Sequence, residues 1–298
     1  MKNKNDLVIN YHITEKCNYT CQFCYAQWNK PNELHANGNK AETLLAFLAS
    51  YFIENSKNRI QQQIQYQNVR LNFAGGEPML LQQRFASLLT TAKNLGFELS
   101  LITNGHFLTD KFITQYGSLF SMIGISYDSQ LTLSQKEIGR VDRKGESISS
   151  DNLLHKVTLL RQVNPNIQIK INTVVNSVNQ YEDFTQLISA IAPTKWKVLQ
   201  VLPVENNALQ ITNKTFNSFL NRHKKIDNFI SAEDNSSMTH SYLMINPEGK
   251  FYQNKINNNG YNYSESIIET GVDEALQQVE IDWTAFLNRY KKQEAICA

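Results

Sequence analysis

Cysteine is scarce in this 298-residue chain, and three of its four copies, Cys17, Cys21 and Cys24, sit in one short stretch. A disulfide framework spreads cysteines so as to close long loops, and it suits an oxidising compartment. Such a framework is excluded. The chain also lacks any run of the ~20 apolar residues that cross a bilayer. Its charged start, Met1-Lys2-Asn3-Lys4, leads into a strand-like run with no apolar secretory core. The expectation is a cytoplasmic protein with no membrane partner. Neither sign of charge dominates: 29 Lys and Arg face 27 Asp and Glu, a net +2. That balance excludes nucleic-acid binding by the overall field, so any bound anion must meet cations concentrated in one place.

What is present reads as an ordinary globular chain, 41% hydrophobic and 19% charged, long enough to bury a sizeable core. Strand-like and helix-like segments alternate. Residues 7–14 read as a strand, 41–51 as a helix, and the glutamine-rich tract 61–67 as a loop or helix end. The strand 69–74 ends at Gly75-Gly76-Glu77-Pro78. Helix 83–94, strand 98–103, helix 110–116 and strand 121–126 follow, then helix 152–161, strand 167–174, helix 181–191 and strand 195–201. Six strands alternating with helices imply an α/β fold with a parallel sheet, of partial (βα)6 TIM type; a doubly wound open sheet is the competing architecture. The polar motifs follow the strands, where such barrels carry their chemistry. From residue 205 the pattern changes to a helix at 216–225, a hairpin at 241–253 and a helical region at 273–292. No Gly/Ser/Pro linker precedes it. The expected division is a barrel over 1–204 and an α/β extension over 205–298, packed on the barrel.

Cys17-x3-Cys21-x2-Cys24 supplies three thiolates with no obvious fourth ligand. Structural zinc takes four ligands, as do electron-transfer clusters. Three ligands on a [4Fe-4S] cluster leave one iron open to a substrate. A zinc loop completed by His12, His35 or Cys297 is the alternative. With Phe23 before the last cysteine, the spacing is similar to the signature of the radical S-adenosylmethionine superfamily, in which the open iron chelates the methionine amino and carboxylate groups. Gly75 and Gly76 allow close backbone approach, and Glu77 can accept from a ligand ammonium; the motif matches that superfamily's methionine-binding segment. Thr103, Asn104, Ser126, Arg140, Asn172 and Val201 are further candidates for the cosubstrate. An Asn-Gly after a strand is also simply a turn.

The strands carry cations at alternate positions. Lys170 and Asn172 share one face of their strand, Lys195 and Lys197 share another, and Arg70 pairs in parity with Asn72. In a helix-covered barrel the apolar set points outward, which turns these cations inward, where unpaired charge is expensive. No carboxylates sit on the same strands to match them, so a polyanionic ligand such as a triphosphate is expected. Residues 138–145 add Arg140, Arg143 and Lys144 between two glycines; a solvated surface loop is the bland reading.

Together these residues resemble the viperin family, the antiviral nucleotide-modifying branch of the superfamily. The resemblance runs from Asn10-Tyr11-His12 and Cys17-Asn18-Tyr19 through Asn72–Pro78, Ile138-Gly139-Arg140, Lys170-Ile171-Asn172 and Trp196-Lys197-Val198. It continues in Ser241-Tyr242-Leu243 and Gly271-Val272-Asp273-Glu274-Ala275. It implies a radical enzyme of lyase type, using a [4Fe-4S] cluster and S-adenosylmethionine. A nucleoside triphosphate (CTP, UTP or GTP) would lose its 4′ hydrogen to a 5′-deoxyadenosyl radical. Loss of the 3′ hydroxyl as water, with uptake of a second electron, would then give a 3′-deoxy-3′,4′-didehydro nucleotide, a chain terminator suited to anti-phage defence. Arg70, Asn72, Lys170, Lys195 and Lys197 would hold the phosphates, and Tyr242, Lys170 and Lys197 would work near the sugar. A flavodoxin or ferredoxin would supply electrons to a monomer. Ala74 stands where animal members carry Ser, and Arg70 where they carry Lys. Another radical enzyme, such as a peptide or cofactor maturase, is the alternative function.

Overall fold

Leu7, Ile9, Tyr11 and Ile13 alternate along the first strand, and all four are fully buried. Apolar residues two apart share one face of a strand, so the extended state buries all four together. The computed structural model describes residues 6–26, 32–202, 209–235, 238, 240–254 and 260–291. Its strands are β1 (Asp6–Thr14), β2 (Asn68–Gly75), β3 (Glu98–Thr103), β4 (Phe120–Ser126) and β5 (Gln168–Val175). They continue with β6 (Lys195–Gln200), β7 (Ile230–Glu233), β8 (Leu243–Ile245), β9 (Lys250–Asn254) and β10 (Tyr261–Ser266). The helices begin with α1 (Lys40–Ala49), α2 (Arg59–Ile64), α3 (Gln83–Asn94), α4 (Asp110–Tyr116), α5 (Thr132–Ile138) and α6 (Ser150–Val163). After them come α7 (Thr185–Ile191), α8 (Asn213–Arg222), α9 (Ile267–Thr270), α10 (Val272–Gln277) and α11 (Trp283–Lys291).

The chain divides into two compact units, and the division falls inside β3. The first comprises residues 1–15, 28–100 and 238–298. In it β1 pairs in parallel with both β2 and β8, while β8–β9 and β9–β10 are antiparallel. The apolar row of β1 is matched by Leu71 and Phe73 on β2 and by Phe85 on α3, all fully buried. The second unit comprises residues 16–27 and 101–237, with β4, β5, β6 and β7 in parallel order. Its core gathers Trp196, Phe184, Phe219 and His223, and the Trp196 indole donates to Thr173 Oγ1 at 2.9 Å.

The glutamine tract 61–67 is the expected helix end and loop: α2, whose start Asn58 caps by accepting from the Gln61 amide, stops at Ile64. Other expectations need adjustment. The α-helix expected over 41–51 ends at Ala49 and passes into a π-helical turn, Ser50–Glu54. The stretch before residue 138 is the helix α5, and the C-terminal helical region is two helices, α10 and α11. Strands β7 and β10 were not expected, since neither has a long apolar run; β7 is fixed by pairing with β6. Cys297 and the 204/205 boundary lie outside the described residues.

Candidate functional site

The cysteine loop is held within the second unit by backbone. The Thr20 amide donates to the Gly139 carbonyl at 3.1 Å and the Gln22 amide to the Ile138 carbonyl at 3.0 Å, bracketing Cys21. A Cβ at Gly139 would lie 2.3 Å from the Thr20 carbonyl oxygen, and its φ is +82°. No other residue fits there. Around the sulfurs stand hydrogen-bond donors. Tyr19 N–H and Asn104 Nδ2 point at Cys17 Sγ from 3.4 and 3.7 Å, and Arg140 Nη1 donates to Cys21 Sγ at 3.3 Å. Asn104 also donates to Asn18 at 2.8 Å and accepts from the His106 amide at 2.9 Å, tying the turn after β3 to the loop.

Of the loop's cations, Arg143 and Lys144 are exposed, as the surface-loop alternative has it, but the Arg140 side chain is largely buried. Its Nε lies 2.6 Å from Asp128 Oδ2, the two side chains being 12% and 1% exposed, and the guanidinium sits over the Tyr19 ring at 5.9 Å. The approach to Asp128 is a charge contact more than an aligned hydrogen bond. Burial pushes the Asp128 carboxyl up and Arg140 pulls it back; at this distance from an always-charged guanidinium the pair is ionic. Asp128 Oδ1 accepts the Val174 amide at 2.7 Å.

The donor set fits an iron–sulfur cluster: three thiols on one loop, with N–H groups aimed at sulfur as thiolates require. Burial pushes the Cys21 thiol up and that of Cys24 to about 11, so ligation must displace their protons. Among the described residues no three His, Cys, Asp or Glu side chains are gathered as around a single ion; a four-iron cluster attaches each thiolate to a different iron. Of the zinc alternatives, His12 lies 2.9 Å from the Tyr252 hydroxyl and His35 is 2.5 Å from Glu33. Both are engaged elsewhere.

In the first unit, Gly75 ends β2 with φ +135°, and a Cβ there would meet the Thr14 carbonyl oxygen at 2.3 Å. The Gly76 amide donates to that same carbonyl at 2.7 Å. Thr14 is braced in turn: its hydroxyl donates to Glu33, whose carboxylate also accepts the Glu15 amide at 2.8 Å. Glu77 is fully buried, with Oε1 accepting the Met79 amide at 3.2 Å. Asn72 donates to Asn10 at 2.9 Å and accepts from Ser100 at 2.8 Å. Arg70 shares this face and keeps its Nε buried. Tyr242 is half-buried, its carbonyl accepting from Gln253.

On the second unit, β5 and β6 carry the expected alternation. Ile169, Ile171, Trp196 and Val198 are fully buried, and Lys170 pairs in register with Lys195 as Asn172 does with Lys197. Three ammonium groups therefore share one face. Gly124 on β4 makes room, since a Cβ would stand 2.9 Å from Lys170 Cε. The strands of the lysines carry no matching carboxylate, but a neighbouring strand supplies one: Lys197 Nζ is 3.0 Å from Glu233 on β7. Ser126 ends β4 beside Asn172, Thr103 Oγ1 accepts the Gly105 amide, and the Val201 amide donates to Val175. Phe23 is half-buried in the cysteine loop.

Asp128, Glu233 and Glu33 escaped the sequence reading, and Gly139 entered it only as part of Ile138-Gly139-Arg140. Asp128 was visible as a polar residue ending a strand, but Glu33 and Glu233 carry no motif, and only folding brings them to their partners.

A family model described as a 4Fe-4S single cluster domain matches residues 8–148. The solved structure of anSMEcpe with bound AdoMet aligns at a TM-score of 0.65, covering 95% of this chain and 81% of that one at 15% identity. That likeness shows the fold alone, which is the radical S-adenosylmethionine type of partial α/β barrel. Relatives narrow the class. An S-adenosylmethionine-dependent nucleotide dehydratase of Pseudoalteromonas ulvae is 43% identical over 98% of this chain and 95% of its own length. One from Psychrobacter lutiphocae is 37% identical over 96% and 95%, and the RSAD2 dehydratase of Danio rerio is 31% identical over 94% and 76%. The chain belongs to the S-adenosylmethionine-dependent nucleotide dehydratase family. No helix among the described residues is long and apolar enough to cross a membrane.

Proposed function

We propose that this chain dehydrates a nucleoside triphosphate, with Cys17, Cys21 and Cys24 holding a [4Fe-4S] cluster. When bound, cluster and S-adenosylmethionine supply a 5′-deoxyadenosyl radical that takes the 4′ hydrogen of the sugar. Gly75 and Gly76 offer backbone to the methionine end, and Glu77 receives its ammonium. Phe23, Thr103, Asn104, Ser126, Arg140, Asn172 and Val201 complete the cosubstrate's surroundings. Lys170, Lys195 and Lys197, with Arg70 and Asn72, take the phosphates, and Tyr242 meets the sugar. The product is the 3′-deoxy-3′,4′-didehydro nucleotide of CTP, UTP or GTP. Its use is chain termination in anti-phage defence, in the cytoplasm where clustered thiols stay reduced. Electrons come from a flavodoxin or ferredoxin.

The observation that carries the reading is the row of three lysines along one face of β5 and β6, in a chain of this family. Convergent ammonium groups match a polyphosphate better than a single carboxylate. The test is anaerobic: reconstituted protein receives reductant, S-adenosylmethionine and each of CTP, UTP, GTP and ATP in turn. A nucleotide lighter by one water, formed together with 5′-deoxyadenosine, is the expected product. Cosubstrate cleavage that no nucleotide stimulates would reject the substrate class while keeping the radical chemistry.

A further inference from the structure

We propose that Asp128 is a positioning residue: it holds the Arg140 guanidinium as a fixed cationic donor to the Cys21 sulfur, and thereby raises the reduction potential of the cluster. The inference rests on the reading of Cys21 as a cluster ligand.

Three observations support it. The register that puts Arg140 beside Cys21 is built from backbone, by the Thr20–Gly139 and Gln22–Ile138 hydrogen bonds and by a glycine whose side chain has no room. The guanidinium is then held on three sides, by Asp128 at 2.6 Å, by the Tyr19 ring and by Cys21 Sγ at 3.3 Å. Finally, the donor at Cys21 is a full cation, while a backbone N–H and a side-chain amide reach Cys17. Burying an ion pair is expensive and adds little stability over apolar packing. One aimed at a ligand sulfur has a different consequence.

Reduction adds one electron, taken from a low-potential donor, to a cluster whose thiolates already carry negative charge. A charge-assisted N–H···S bond withdraws density from sulfur and favours the reduced form. Outer residues of this kind tune a metal centre through its ligands. Asp128 does so at one remove. Without its carboxylate the guanidinium loses the contact that directs its fork, while Asn at this position still offers Oδ1 to the Val174 amide.

The experiment compares wild type, Asp128→Asn and Arg140→Lys after anaerobic reconstitution. Iron and sulfide are counted, and the cluster is then titrated with dithionite under EPR without S-adenosylmethionine, so that cosubstrate binding by Arg140 does not enter. Both variants are expected to load iron as wild type does and to show midpoints shifted to more negative potential. If Arg140→Lys fails to load, the near-isosteric Asp128→Asn carries the same reading alone. Midpoints equal to wild type in the loaded variants overturn the inference and leave the cluster reading intact. A wild-type chain with no reducible four-iron signal overturns both.

Discussion

Cys17, Cys21 and Cys24 are three thiols on one loop, and replacing any one by Ala is expected to abolish cluster assembly. Iron content and visible iron–sulfur absorbance check this; a variant that loads four irons and still releases 5′-deoxyadenosine contradicts the assignment. Gly139 is as constrained as any ligand. Gly139→Ala puts a methyl group against the Thr20 carbonyl at positive φ, so it is expected to destabilise the protein by about 2 kcal/mol or more. It should also lower iron loading by displacing the loop. An unchanged urea midpoint with full iron would sink that account. The cysteines were legible because their spacing is local. The partner of Gly139 was not, since Thr20 lies far away in sequence and nothing in either segment names the other.

At the scale of elements, the lysine face of β5 and β6 carries the nucleotide reading. Lys170→Ala is expected to weaken triphosphate binding about tenfold or more, some 1.4 kcal/mol, with iron content unchanged. Equal affinity by titration calorimetry would reject the role. Lys197→Ala differs in kind, because Lys197 also forms an ion pair with Glu233 on β7. That variant is expected to lose about 1 kcal/mol or more of stability as well as affinity, and only a chemical-denaturation series separates the two effects. The alternation that makes the face was readable from Lys170, Asn172, Lys195 and Lys197, since strand parity is intrinsic to the backbone. The carboxylate was not, because β7 is too short to announce itself and becomes a strand by pairing with β6.

For the whole molecule, pH reaches stability through buried histidines in each unit. Burial lowers the His12 pKa to about 4, with a backbone hydrogen bond to Ile245 opposing it. His223 is lowered for the same first reason. The Phe184 amide donates to His223 Nε2 while Nδ1 meets the Phe219 carbonyl, so the neutral ring with its proton on Nδ1 is the one that fits. A folded-state pKa below the unfolded value means stability that is fully present above about pH 6.5. It is lost as pH falls toward the folded pKa, near 4 for His12. Urea midpoints should therefore fall between pH 7 and pH 5, and His12→Gln should flatten that slope. A parallel slope in the variant would show that His12 is not a source of it.

Strand parity, helix punctuation and the cysteine spacing act within a few residues, so the sequence alone determined the α/β rhythm, the cluster loop, the Gly75–Glu77 turn and the shared strand face of the lysines. Which charges answer one another was left to the tertiary structure. Arg140 against Asp128 and Cys21, Lys197 against Glu233, and Thr14 against Glu33 and Gly76 each join segments that only folding brings together. The physical reason is desolvation. A buried charge must find a partner in three dimensions, and no property of the residue by itself says where along the chain that partner lies.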